Sequence, residues 1–264
     1  MRPSQALYSA LAPTYEKHFE VPHRRAYDTL AWERVRRVLP ELPEHGPVVD
    51  AGCGVGRWVD RLVEAGHPVI GIEQSPGMLA ELRRADRPGF TLVEGSMETA
   101  ELAEGSAAMV MALGSLQYTT DPEATVRGFA RWVRPGGRVV VLVDSLMGLV
   151  LELLRDGRPA EATERLRTRM GVWRVDGQHA DMHLFDAARL RRAFEDAGLT
   201  DVEVHGLLVT AAPLGVGRLT EELQRDWDAH LALERELLAD PAMADAGKQL
   251  LATGRRPTSD GDEG

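Results

Sequence analysis

A chain of 264 residues, 44% hydrophobic and 27% charged, has the composition of an ordinary globular protein and lies far from disordered, collagenous or membrane compositions. With 41 acidic against 31 basic residues the formal net charge is −10, which argues against sequence-independent nucleic-acid binding, since that draws on counterion release by lysine and arginine. Cys53 is the single cysteine, so an intrachain disulfide and a cysteine-rich zinc site are both excluded, and a reducing, cytoplasmic setting is expected.

In chain order, the opening stretch lacks the continuous apolar core of a signal peptide and is broken by Glu16, Lys17, His18 and Glu20. Apolar positions at helical spacing (Leu7, Leu11 and Tyr15, then Leu30, Val35, Val38 and Leu39) predict two helices, with a linker at Pro40 and Pro43. From Pro47 the rhythm changes. Short β-branched runs predict strands over 47–51, 67–73, 90–95, 107–113 and 138–144, and these alternate with helical stretches over 58–65, 76–84 and 122–133. Such alternation implies βαβ units and a parallel sheet covered on both faces. The most apolar stretch, 139–154, is interrupted by Asp144 and Glu152 and is too short to span a bilayer.

Residues 146–170 read as one or two amphipathic helices inserted between sheet elements, and His183-Leu184-Phe185 as a short strand. Asp186 would cap a helix running to Ala197, with Gly198 ending it. Two further strands follow over 202–210 and 249–253, separated by a long helical segment over 219–238. The tail, residues 257–264, carries no apolar side chain and is expected to be disordered.

The informative stretch is Val48-Val49-Asp50-Ala51-Gly52-Cys53-Gly54-Val55-Gly56-Arg57, a strand running into a glycine loop and a helix. Glycines let the backbone turn tightly and approach a ligand with no Cβ in the way. A dinucleotide fingerprint would read G-x-G-x-x-G, whereas Arg57 stands where its third glycine belongs. Asp50, just ahead of the turn, would repel a pyrophosphate and attract an ammonium group. Glu73, 23 residues on at the end of the next strand, can accept both ribose hydroxyls of a nucleoside. A cationic amino acid joined to a ribonucleoside describes S-adenosylmethionine.

Over roughly residues 47–145 the sequence resembles the class I S-adenosylmethionine-dependent methyltransferases, in particular the branch related to ubiquinone and menaquinone methyltransferases. The motifs are VVDAGCGVG for the glycine loop, IGIEQSPGML for the ribose-binding turn, and ARWVRPGGRVVVLV for the helix, turn and strand that follow. More loosely, residues 113–256 look like the bacterial tRNA wobble-uridine carboxymethyl methyltransferases. The resemblance implies an α/β, Rossmann-like seven-stranded sheet, parallel except for an antiparallel last strand, flanked by helices, with the cofactor across the strand ends. It further implies that Asp50, Gly52 and Gly54 face the methionine part and Glu73 takes the ribose. Met78 would pack near the adenine, Ser96 and Met97 would approach its amino group, and Leu113 would border the methyl group. Tyr8 and Tyr15 resemble the tyrosines by which this branch closes its first helix over the cofactor. Many members of the family carry an acidic residue where Ser96 stands here.

Methyl transfer from a sulfonium is an in-line displacement that needs an aligned nucleophile, excluded water and a base only if the acceptor arrives protonated. His179 and Tyr118, in loops expected to open on the site, are the candidate catalytic residues, with His18, His23, His183 and Asp144 behind them. No metal is expected, because methyl transfer needs no ion and nothing completes a set around His179, Asp181 and His183. A nicotinamide-dependent reductase would need Tyr-x-x-x-Lys, which no tyrosine here begins.

The expectation is one methyltransferase domain over 1–256, with residues 1–45 as a helical lid and 146–180 as a substrate-side insertion. It would methylate an oxygen or nitrogen of a small molecule, such as a specialised metabolite, with neither nucleic acid nor membrane as partner. The alternatives are a tRNA wobble-uridine carboxymethyl ester methyltransferase and a catalytically silent cofactor-binding module.

Overall fold

The structure is a computed structural model that describes residues 2–39, 46–175 and 177–258. The linker expected at Pro40 and Pro43 lies outside the described residues, as does the expected tail from 259 onward.

Two helices open the chain, α1 (Pro3–Leu11) and α2 (Pro22–Val38), joined by two short 3-10 turns over 12–14 and 16–19. Each begins with a proline, whose fixed φ suits the first helical turn and whose missing N–H would be unpaired there anyway. The βαβ series follows: β1 (Val48–Ala51), α3 (Arg57–Glu64), β2 (Val69–Glu73), α4 (Pro76–Leu82), β3 (Phe90–Glu94), β4 (Ala107–Leu113), α5 (Pro122–Trp132) and β5 (Val133–Asp144). Beyond it come α6 (Leu146–Arg155), α7 (Pro159–Thr168), a ribbon of β6 (Met170–Val175) and β7 (Gln178–His183), then α8 (Ala187–Glu195), β8 (Thr200–Leu207), α9 (Ala211–Arg225), α10 (Trp227–Ala239) and β9 (Gln249–Arg255).

The large sheet has seven strands in the order β3-β2-β1-β4-β5-β9-β8. Both contacts of β9 are antiparallel and the other pairings are parallel, which is the arrangement expected from the resemblance. The order reverses between β1 and β4, so their carboxyl ends flank the crevice where open α/β sheets bind ligands. One face buries Leu30 and Val35 of α2, Trp58 and Leu62 of α3, and Leu219 and Leu223 of α9. The opposite face buries Phe129 of α5 and Leu190 and Phe194 of α8 against Val139, Val141 and Val143.

Three expectations are corrected. Residues 170–175 and 178–183 form an antiparallel ribbon, where a helix end, a loop and a strand over 183–185 were expected. Its inward positions include the small Gly171 and Ala180, so the period-two signal of a half-buried strand is faint. Phe185 makes only an isolated bridge to Ser145. The long helix over 219–238 is two helices broken at Asp226, whose carboxylate accepts the Ala229 N–H at 3.0 Å and caps α10. The strand expected over 202–210 stops at Leu207, because the Val209 and Thr210 N–H groups turn aside to the fully buried Glu234 at 2.9 and 3.0 Å.

Candidate functional site

The glycine loop leaves β1 by turning back over β2, with the Gly52 and Cys53 N–H groups both donating to the Ile72 carbonyl, at 2.7 and 3.1 Å. Gly52 has φ +84°, and a Cβ there would lie 2.5 Å from Cβ of Ser115, whose hydroxyl donates to the Ala51 carbonyl at 2.6 Å. No side chain fits that position, so the backbone itself forms the wall of the crevice. The Gly54 N–H donates to Oε2 of Glu73 at 3.0 Å, and the Gln74 and Ser75 N–H groups donate to Oε1 at 2.8 and 2.6 Å. Burial raises the Glu73 carboxyl pKa while those three bonds hold it down.

Asp50 sits under the loop rather than in its wall. It is 1% exposed, and its Oδ2 has no hydrogen-bond partner among the described residues. Burial first, and the neighbouring Glu73 second, push its carboxyl up to about 7. This corrects the expectation that Asp50 faces a ligand directly.

Two chambers open on this end of the sheet. The first is lined by Gly52, Gly54, Glu73, Met78, Met97 and Leu113, with Gln5, Tyr8, Tyr15, Gln74, Ser75, Gly95, Gly114, Ser115 and Tyr118 also on its walls. Helix α1 roofs it: Gln5 Nε2 donates to Gln74 Oε1 at 3.0 Å, the Ser9 and Ser75 hydroxyls meet at 2.8 Å, and the Gly77 N–H donates to the Ser9 hydroxyl at 3.2 Å. The second chamber, about 460 Å³, shares Tyr8, Tyr15, Leu113, Gly114 and Tyr118 with the first. Its floor is Asp144 at the end of β5, and Leu149 and Glu152 of α6 and Trp173 and Met182 of the ribbon form part of its walls. Gln117 Nε2 donates to Asp144 Oδ2 at 2.6 Å, while the Asp144 N–H donates back to Gln117 Oε1 at 3.1 Å, which fixes the amide's orientation.

Of the expected cofactor residues, Tyr15, Gly52, Gly54, Glu73, Met78, Met97 and Leu113 line the first chamber. Ser96 does not; its hydroxyl accepts the Glu98 N–H at 3.2 Å and braces the loop after β3. Tyr118 stands at the junction of the two chambers, its phenol pKa raised by burial. His179 lies outside both. It is exposed on β7 opposite Arg174, because a ribbon replaces the loop that was to have carried it inward. His23 lines the second chamber with Nδ1 at 3.1 Å from the Thr220 hydroxyl, and burial lowers its pKa. Sequence reading missed Gln5, Gln74, Ser75, Ser115, Gln117 and Gln249. The run Leu113-Gly114-Ser115-Leu116-Gln117-Tyr118, at and just after the end of a predicted strand, held the signal for two of them, Ser115 and Gln117.

The first chamber fits a nucleoside carrying a cationic amino-acid end. A buried carboxylate oxygen without a partner among the described residues lies beneath it, its wall admits no Cβ at Gly52, and Glu73 keeps acceptor capacity on Oε2. Among the described residues there is no group of three or more His, Cys, Asp or Glu that could hold a metal ion. Nor is any described helix long and apolar enough to cross a membrane.

A family model described as a methyltransferase domain matches residues 23–204. An uncharacterized methyltransferase of Mycobacterium tuberculosis is 34% identical over 119 residues, which is 42% of this chain and 48% of the relative. The dTDP-3-amino-3,4,6-trideoxy-alpha-D-glucopyranose N,N-dimethyltransferase of Streptomyces venezuelae is 29% identical over 137 residues, 47% of this chain and 57% of that enzyme. The chain thus spans about half the length of the curated relatives it matches. Among solved structures, an S-adenosylmethionine-dependent methyltransferase of Thermotoga maritima, described as a possible histamine N-methyltransferase, superposes with a TM-score of 0.59 at 18% identity, covering 95% of this chain and 98% of that one.

Proposed function

The chain belongs to the class I S-adenosylmethionine-dependent methyltransferases, and from that premise we propose that it transfers a methyl group from S-adenosylmethionine to a nitrogen or oxygen of a small molecule. The observation that carries this reading is the meeting of the two chambers at Leu113, Gly114 and Tyr118. The glycine loop and Glu73 would hold the cofactor on one side of that junction, and Asp144 would face the acceptor on the other. When bound, the cofactor supplies an electrophilic methyl group on a sulfonium.

The protein's part is to position the acceptor and keep water out. Gln117 holds Asp144 in place, and Asp144 is the group on the chamber floor able to accept a proton from a protonated acceptor. Tyr8 and Tyr15, carried on the segment ahead of α2, close the junction from above, so the lid role expected of residues 1–45 falls to α1 and the turns that follow it, while α2 is core through Leu30 and Val35. Residues 146–180, which contribute Leu149, Glu152 and Trp173, serve as the acceptor-side insertion. A chamber walled in this way by α1, α6 and the ribbon, on a chain of net charge −10, suits a small acceptor better than a tRNA anticodon.

Calorimetric titration with S-adenosylhomocysteine tests the cofactor half. Glu73→Ala removes one or two charge-assisted hydrogen bonds and is expected to weaken binding by roughly 1.5 to 3 kcal/mol, about ten- to a hundredfold. Unchanged affinity in that variant would defeat the reading. Transfer of labelled methyl groups into an extract of small metabolites separates an active enzyme from a silent binding module.

A further inference from the structure

Asp144 lines the second chamber without a cationic side chain at ion-pair distance among the described residues. The other carboxylate on that wall, Glu152, is neutralised by Lys248 at 2.7 Å. Asp144 has instead two amide donors, Gln117 Nε2 at 2.6 Å and a long contact from Gln249 Nε2 at 3.4 Å. Because its carboxylate faces both amide nitrogens, the Gln249 amide carbonyl is turned away, and Gln249 Oε1 is buried with no partner among the described residues. The floor therefore has unused acceptor capacity, on the Asp144 carboxylate and on Gln249 Oε1. Lys248 offsets the Asp144 charge only at a distance, and a half-buried carboxylate with no cation in contact gains from one that completes the pair.

Above this floor the walls are aromatic. Tyr8 is the hub of four rings, with its centroid 5.4 Å from Tyr118, 5.4 Å from Trp173 and 6.2 Å from Tyr15, and all four rings border the chamber. Ring faces around a carboxylate attract organic ammonium ions, whereas they gain nothing from an anion. Of the other charged or titratable groups on the wall, Lys248 is held by Glu152, Arg24 lies 5.7 Å from the Phe19 ring centroid, and burial lowers the pKa of His23, which favours its neutral form.

We propose that the second chamber is an ammonium site and that the methyl acceptor is an amine, bound as its cation between the Asp144 carboxylate and the rings of Tyr8, Tyr15, Tyr118 and Trp173. The inference rests on the function proposed above and narrows its acceptor from nitrogen or oxygen to nitrogen. One proton then passes from the bound ammonium to a carboxylate oxygen of Asp144, leaving a neutral amine whose lone pair is free and a neutral carboxylic acid on the floor. Gln117 is a positioning residue in this scheme, since it acts only through Asp144.

The test is a matched probe series of benzylamine, benzyltrimethylammonium, benzyl alcohol and benzoate, titrated calorimetrically with and without saturating S-adenosylhomocysteine. Benzylamine is expected to bind at least about tenfold more tightly than benzyl alcohol, with benzoate weakest. Asp144→Asn should weaken benzylamine by about tenfold and leave benzyl alcohol within about twofold. Trp173→Leu, a change on the ribbon away from the sheet core, should weaken benzyltrimethylammonium several-fold. Benzyl alcohol or benzoate binding as tightly as benzylamine, a wild-type protein that binds no benzylamine, or cation affinities unmoved by both substitutions would each overturn the proposal. Failure of S-adenosylhomocysteine to bind would instead overturn the cofactor assignment, and the probe series without it still decides the ammonium site.

Discussion

Asp50 shows how one buried carboxylate can serve a ligand and burden the free protein. Its carboxyl is raised to about 7 from an ordinary 3.8 by burial and by Glu73, so the folded chain holds this proton more tightly than the unfolded chain does. The stability this group contributes is fully present below about pH 4 and is lost as the pH rises through about 7. Asp50→Asn, which cannot ionise, should melt close to wild type at pH 4 and several degrees above it at pH 8 without ligand, while binding S-adenosylhomocysteine more weakly. A melting difference that does not grow between those pH values would contradict this account. Arg57 is the converse case. In the sequence it is only the residue that spoils a dinucleotide fingerprint, yet its guanidinium makes two 2.6 Å bonds to Asp28 and lies 3.5 Å from the Phe19 ring centroid.

That pair matters at the level of elements, because it fastens α2 to the first turn of α3, directly behind the glycine loop. Asp28 is 6% exposed, and removing it would leave a largely buried arginine without its partner. Asp28→Ala is accordingly expected to cost roughly 3 kcal/mol in urea unfolding, and a loss under about 1 kcal/mol would show that the pair does not hold the segment down. Upstream of it, α1 lines the first chamber through Ser4, Gln5 and Tyr8, and its apolar seam is thin, Leu7 and Leu11 packing with Ala180 of β7. Amide exchange over residues 4–20 should slow when S-adenosylhomocysteine is added, and equal protection with and without it would make α1 permanent core.

The same elements show what was legible in the sequence. The βαβ series, the glycine loop and Glu73 could be read because parallel strands buried on both faces are continuous β-branched runs, and the turn between them is written in glycine. The β6–β7 ribbon could not, since its inward positions include Gly171 and Ala180, and the misplacement of His179 followed from that. Gln117, Gln249 and Asp144 are brought together from the loop after β4 and from β9 and β5, a pairing that no local pattern encodes.

For the whole molecule, the two chambers divide the labour between parts of the chain that differ in how firmly they are built. The chamber we propose for the cofactor rests on β1, β2 and β4, and the one we propose for the acceptor is walled by α1, α6 and the ribbon. Substitutions in the acceptor walls should therefore change ligand preference with little loss of fold. The placement of β9 has a further consequence, for biosynthesis. It fills the gap between β5 and β8 although both precede it, pairing Arg138↔Arg255 through Asp144↔Gln249. While the ribosome is still translating the residues before 249, β5 has an open apolar edge from Val139 to Val143 and nothing to lay against it, and the acceptor floor lacks Lys248 and Gln249. Such an edge is a template for pairing between nascent chains. Chains stopped just before Gln249 should collect in the insoluble fraction, whereas chains stopped after Thr258 should stay soluble, so that assembly of the central sheet waits on a strand synthesised after both of its neighbours.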